Sequence, residues 1–100
     1  MKLLPARTAV LNYMSTVEEA DVFQVMSALE PLFGSEKQFR EDLFLEHLMS
    51  LECNGYLVQT GFNLDENGKL RIRYQINDDG RYAVEKYIAK EFRNVEGGAI

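Results

Sequence analysis

The chain is 100 residues long, one domain's worth, and its 46% hydrophobic content allows a single core. Its 11 basic and 16 acidic residues leave a net charge of -5, which disfavours non-specific attraction to nucleic acid or anionic lipid. One cysteine, Cys53, excludes an internal disulfide framework and points to a reducing, cytoplasmic setting, and no apolar run approaches membrane-spanning length.

Pro5 suits the first turn of a short helix, ARTAVLNYMS, with Val10, Leu11 and Met14 as its buried stripe. Pro5 and Arg7 also interrupt the opening MKLLPARTAV too early for a secretory signal. A second helix is predicted over STVEEADVFQVMSALEPLF. Ser15 with Glu18, or Thr16 with Glu19, has capping-box spacing. Ala20, Phe23, Met26, Ala28 and Leu29 follow at helical intervals, and Pro31 and Gly34 mark the end. The third helix is predicted over SEKQFREDLFLEHLMSLEC, with Ser35 and Gln38 as another capping pair. Phe44, Leu48 and Leu51 share its inner face, and Asn54-Gly55 supplies a left-handed stop.

The period then becomes two. YLVQTGFNL reads as a strand, DENG as a tight turn and KLRIRYQI as the returning strand. Leu70, Ile72, Tyr74 and Ile76 make one face of the second strand apolar; Lys69, Arg71, Arg73 and Gln75 make the other basic. Asn77 caps a last helix, DDGRYAVEKYIAKEF, whose early aspartates suit the positive end of the helix dipole and whose Lys90 and Arg93 suit the negative end. Tyr82, Val84, Tyr87, Ile88 and Phe92 are too many apolar and aromatic residues for a free surface helix. Some are expected to bury against the core and some to meet a second subunit. The expected fold is α+β: one domain over 1–93 with a flexible Gly-rich tail over 94–100.

Three helices, a hairpin and a helix is the order of a winged helix-turn-helix, with the hairpin as the wing. The segment from Phe44 to Ile88 resembles the second half of winged-helix transcriptional regulators of the PadR and MarR families. Leu48, Leu51, Glu52 and Gly55 match the end of their recognition helix. Tyr74, Ile76, Asn77, Asp78, Asp79, Gly80 and Arg81 match the phrase after their wing. The resemblance implies a three-helix core, a two-stranded wing and gene control by contact with duplex DNA; the apolar residues of the last helix add the expectation of a homodimer through terminal helices.

A groove-reading helix needs cations near phosphates and side chains that bond base edges. From Glu36 to Glu52 there are five acidic residues and only two basic ones, Lys37 and Arg40. With Phe44, Leu48 and Leu51 turned inward, the opposite face carries Phe39, Asp42, Glu46, Met49, Ser50 and Cys53. DNA contact is therefore expected through the wing and the start of the third helix, at Lys37, Arg40, Lys69, Arg71 and Arg73. Those wing cations have a second reading, as charges that keep an edge strand soluble and unpaired. The alternative function is an acidic protein-interaction module, an accessory or antagonist factor, using Phe39, Asp42, Leu45, Glu46 and Met49. Burial of Phe39, Leu45 and Met49 against the first helix or a neighbouring subunit is the simpler reading of those three.

Asn63, Asp65, Asn67 and Gly68 fall at the early positions of a calcium loop, but Tyr74 stands where a bidentate glutamate is required. His47 and Cys53 lack a second pair of ligands for zinc, and His47 reads as a residue at the core edge. No phosphate-binding glycine loop or nucleophile elbow is present. No metal, cofactor or catalytic residue is expected.

Overall fold

A computed structural model describes residues 4–88 of the chain. It is α+β, in the order α1 (Ala6–Met14), α2 (Val22–Phe33), α3 (Glu41–Cys53), β1 (Leu57–Leu64), β2 (Leu70–Ile76) and α4 (Asp78–Tyr87). The expected Lys90, Phe92 and Arg93 of the last helix, and the tail over 94–100, lie outside the described residues.

The inner faces of the helices follow their apolar spacing. Val10, Leu11 and Met14 of α1 are buried, as are Phe44, Leu48 and Leu51 of α3. They meet Val25, Leu29 and Phe33 of α2, and Leu57, Tyr74 and Ile76 from the base of the hairpin. Ala83, Val84 and Ile88 close the core from the side of α4. Asn54-Gly55 ends α3 as its residue types require, with Gly55 at φ +85°. Asn77 then joins three elements. Its Oδ1 accepts from Gly80 N at 2.8 Å, its Nδ2 donates to Gly55 O at 2.8 Å, and its backbone N–H donates to Tyr56 O at 3.0 Å.

Two helix starts differ from expectation. The capping box of α2 is Asp21 with Gln24, not Ser15 with Glu18 or Thr16 with Glu19. Gln24 N donates to Asp21 Oδ1 and Asp21 N to Gln24 Oε1, each at 2.9 Å. The Ser15 and Thr16 hydroxyls instead donate back to Asn12 O and Tyr13 O and help close α1. The chain must stay extended at Ala20, because Ala20 exchanges both backbone bonds with Tyr74, at 3.0 and 2.9 Å. Likewise α3 starts at Glu41, six residues after Ser35; residues 35–38 form turns and the chain then extends through Arg40, with Phe39 edge-on to Phe44 at a ring-centroid distance of 5.3 Å. Pro31 lies inside the last turn of α2, and Gly34 is its C-cap in a right-handed conformation.

β1 and β2 pair antiparallel, from Leu57 opposite Ile76 to Leu64 opposite Leu70, with Thr60 as an extra residue that shifts the register between Gln59 and Gly61. The DENG turn is closed by Asp65, whose Oδ1 accepts from Asn67 N at 2.8 Å and Lys69 N at 2.9 Å, and by Gly68 at φ +79°. These backbone donors, led by Lys69 N–H, hold the Asp65 carboxyl below its ordinary pKa. Among the described residues no helix is long and apolar enough to cross a membrane.

Candidate interaction surface

Lys69, Arg71 and Arg73 share one face of β2, as the alternation predicts, but that face meets carboxylates. Lys69 Nζ lies 2.7 Å from Glu41 at the start of α3. Arg71 lies 3.8 Å from Asp21 and 3.7 Å from Asp65. Arg73 lies 3.4 Å from Glu19 and donates to Asn63 Oδ1. Glu19 also accepts from the Thr60 hydroxyl at 2.7 Å, so it bridges both strands. Phe23 of α2 sits beneath two of the cations, 4.3 Å from the Arg71 guanidinium carbon and 5.3 Å from Lys69 Nζ. The carboxylates of Glu19 and Asp21 reach the hairpin because the Ala20–Tyr74 bridge lays that segment beside β2.

Arg40 is also engaged. Its guanidinium makes two parallel bonds to Asp42, both 3.1 Å. The arginine holds the Asp42 carboxyl below its ordinary pKa, and the carboxylate raises that of Arg40. Lys37 is exposed in the turn before α3.

The partner-surface candidates divide. Phe39 and Leu45 are half-buried against the core. Asp42, Glu46 and Met49 are exposed at positions i, i+4 and i+7 of α3, and Met49 keeps 51% of its surface. The outer face of α3 therefore carries Glu46 and the Arg40-paired Asp42 around a methionine. On the other side of the helix, His47 Nδ1 accepts from Arg7 Nε at 3.2 Å, and its ring stands edge-on to Phe44. Burial, followed by the neighbouring guanidinium, lowers the His47 pKa. The Cys53 thiol is free and exposed. Among the described residues no three His, Cys, Asp or Glu side chains are grouped to hold a metal ion.

The outer half of the hairpin's apolar face was not singled out from the sequence. Tyr74 and Ile76 bury that face at its base, but the helices do not cover the tip. Phe62 lies opposite Ile72, and Leu64 opposite Leu70. Phe62, Leu64 and Leu70 are 66%, 61% and 51% exposed. Phe62, Leu70 and Ile72 line a shallow hollow with Gln59, Thr60 and Gly61. The available signal was position: these apolar residues flank the DENG turn, at the end of the hairpin farthest from Tyr74 and Ile76. On α4, Tyr82 and Tyr87 are exposed, with Lys86 Nζ 5.6 Å from each ring.

The chain matches no protein-family model, and no curated protein or solved structure shows significant similarity to it.

Proposed function

We propose that this chain is a winged-helix module of the transcription-regulator type that acts in the cytoplasm by contacting a protein, as an accessory or antagonist factor, with no catalysis of its own. In this reading α1–α3 are the core of the winged helix, the hairpin is the wing, and the outer face of α3 meets the partner. The supporting observation is the pairing of the cations. Lys69, Arg71 and Arg73 each lie within 4 Å of a carboxylate from another part of the chain or the turn, Arg40 is held by Asp42 itself, and Glu46 and Met49 face outward beside that pair. The partner is expected to bring basic side chains around an apolar anchor that packs on Met49.

DNA contact is the second reading, favoured by the exposure of Lys37, Arg40 and Lys69 around the start of α3. Phosphates would have to draw these cations from their carboxylates. Titration of labelled duplex DNA at about 50 mM salt separates the two, because binding built on phosphate contacts is strongest at low salt. The protein-contact reading expects no binding by the wild-type chain, and gain of non-specific binding when Asp42→Lys and Glu46→Lys reverse the α3 face. Wild-type binding that weakens steeply with salt and is lost on Arg71→Ala with Arg73→Ala supports DNA contact instead.

A further inference from the structure

We propose that the outer face of α3 and the apolar outer half of the hairpin form one docking surface, and that its occupant is a basic amphipathic helix of a protein partner. The inference rests on the α3 partner reading and extends it. One apolar side chain of that helix packs on Met49, and another enters the hollow at Phe62.

Glu52 joins the two parts. Met49 and Glu52 are three residues apart on α3 and are therefore neighbours on its surface. Glu52 Oε1 accepts from Gln59 Nε2 at 3.2 Å. Tyr74, Ile72 and Leu70 alternate onto one face of β2, and the residues opposite them, Gln59, Phe62 and Leu64, point to the same side. Gln59 also lines the hollow together with Phe62, Leu70 and Ile72. The surface thus runs without a break from Met49, across the Glu52–Gln59 bond, to Phe62.

Charge selects the occupant. Glu46 is exposed, Glu52 is half-buried, and neither forms an ion pair with a described residue. Lys69, Arg71 and Arg73 stand on the other face of β2 with Glu41, Asp21 and Glu19, so they do not neutralise this side. An apolar strip bordered by free carboxylates suits lysine or arginine beside apolar anchors. A second copy of the chain, net charge -5, would set the same carboxylates against each other across a two-fold axis. Nucleic acid would meet them with phosphates.

The dimensions suit a helix. Neighbouring Cβ atoms on α3 are about 5–6 Å apart. The step along the hairpin from Gln59 to Phe62 is about 7 Å. With the Glu52–Gln59 bond between them, the two anchor sites lie on the order of 15 Å apart, about three helical turns. Apolar residues repeating along one helix face reach both. Met49, Phe62, Leu64 and Leu70 together expose on the order of 400 Å², a size associated with interaction sites on monomers. Contact over such an area falls in the weak class, with Kd expected at roughly 10 µM.

The probe is a fluorescein-labelled peptide of leucine and lysine at helical spacing, about four turns long, titrated with the full chain and read by fluorescence anisotropy. Saturable binding is expected at about 150 mM salt. A peptide of the same composition with its leucines scattered around the helix is expected to bind at least tenfold more weakly. Phe62→Ser with Leu70→Ser, both at exposed positions, is expected to weaken binding at least tenfold while the circular dichroism stays native. Met49→Ala is expected to weaken it as well. Glu46→Gln with Glu52→Gln is expected to weaken it and to flatten its salt dependence. Asp79→Asn with Glu85→Gln removes two carboxylates from α4 and is expected to change nothing. Sensitivity to Met49→Ala without sensitivity to the hairpin pair would overturn this inference and leave the α3 reading standing. No saturable binding at millimolar concentration, or indifference to both Met49→Ala and the hairpin pair, would overturn both. So would loss with the hairpin pair alone. Equal loss with the α4 pair would show diffuse charge attraction and likewise overturn the inference.

Discussion

Gly80 tests how α4 is held on the rest of the fold. It is the third residue of α4, is buried, and donates its N–H to Asn77 Oδ1 at 2.8 Å. A Cβ there would stand 2.5 Å from the Tyr56 carbonyl oxygen and 2.6 Å from Ile76 Cγ1. Two effects oppose one another in Gly80→Ala. Alanine favours a helix interior over glycine by about 1 kcal/mol. Against this, forcing a methyl group into a packed site costs roughly 1–3 kcal/mol. The obstruction includes a backbone oxygen rather than only a flexible side-chain end. Moving that oxygen also disturbs the Asn77 N–H bond to it, worth about 1 kcal/mol. Overpacking therefore wins, and the expected net loss is about 1–3 kcal/mol. For a domain of this size each kcal/mol lowers Tm by roughly 4–8 °C. Urea unfolding followed by far-ultraviolet circular dichroism reads the change as a lower midpoint at constant slope. Glu85→Ala, on the exposed side of the same helix, is the propensity control. A neutral or stabilised Gly80→Ala would show that helix propensity outweighs the contact, and would refute close approach as the reason for glycine here.

Two further perturbations probe the interior. The Tyr74 ring is wholly buried and its hydroxyl meets no protein hydrogen-bond partner, so Tyr74→Phe is expected to raise stability by about 1 kcal/mol through relief of a desolvated polar group. A loss of that size in the same urea assay would mean that the hydroxyl is satisfied. His47 accepts from Arg7, and its folded-state pKa lies below that of the unfolded chain. Unfolding therefore takes up a proton: the stability tied to the neutral imidazole is complete above about pH 6.5 and is lost as pH falls from there to the folded-state pKa. The stability advantage of wild type over His47→Gln is expected to shrink between pH 7.5 and pH 5.5. A constant difference across that interval would remove His47 from the pH response.

Local chemistry was sufficient where a single residue sets a conformation. Gly55 and Gly68 take positive φ at a helix stop and a hairpin turn, and Asn77 caps α4. It was insufficient where several local solutions compete. Ser15–Glu18, Thr16–Glu19, Asp21–Gln24 and Ser35–Gln38 all have capping-box spacing, yet only Asp21–Gln24 forms the box of α2. The choice is made at long range, by the backbone bonds between Ala20 and Tyr74. The start of α3 is displaced for a similar reason, since Phe39 packs on Phe44 from outside the helix.

The candidate interaction surface was legible as a pattern and not as an environment. Alternation along β2 assigns each residue to a face, but what the face meets depends on its position along the hairpin. At the base, the apolar face closes the core through Tyr74 and Ile76. Eight residues of β1 span about 26 Å, which carries the same face beyond the helices at Phe62 and Leu64. The basic face meets carboxylates brought by distant parts of the chain. Around Lys69, Arg71 and Arg73 stand Glu19, Asp21, Glu41 and Asp65, so three cations are set among four acids. A phosphate approaching there must exchange with contacts already made. Its gain is the difference between two charge-assisted interactions, not the worth of a new one. Counting cations along the strand therefore overstates the attraction of the hairpin for DNA, whereas counting its apolar residues gives no warning that the outer ones remain in water.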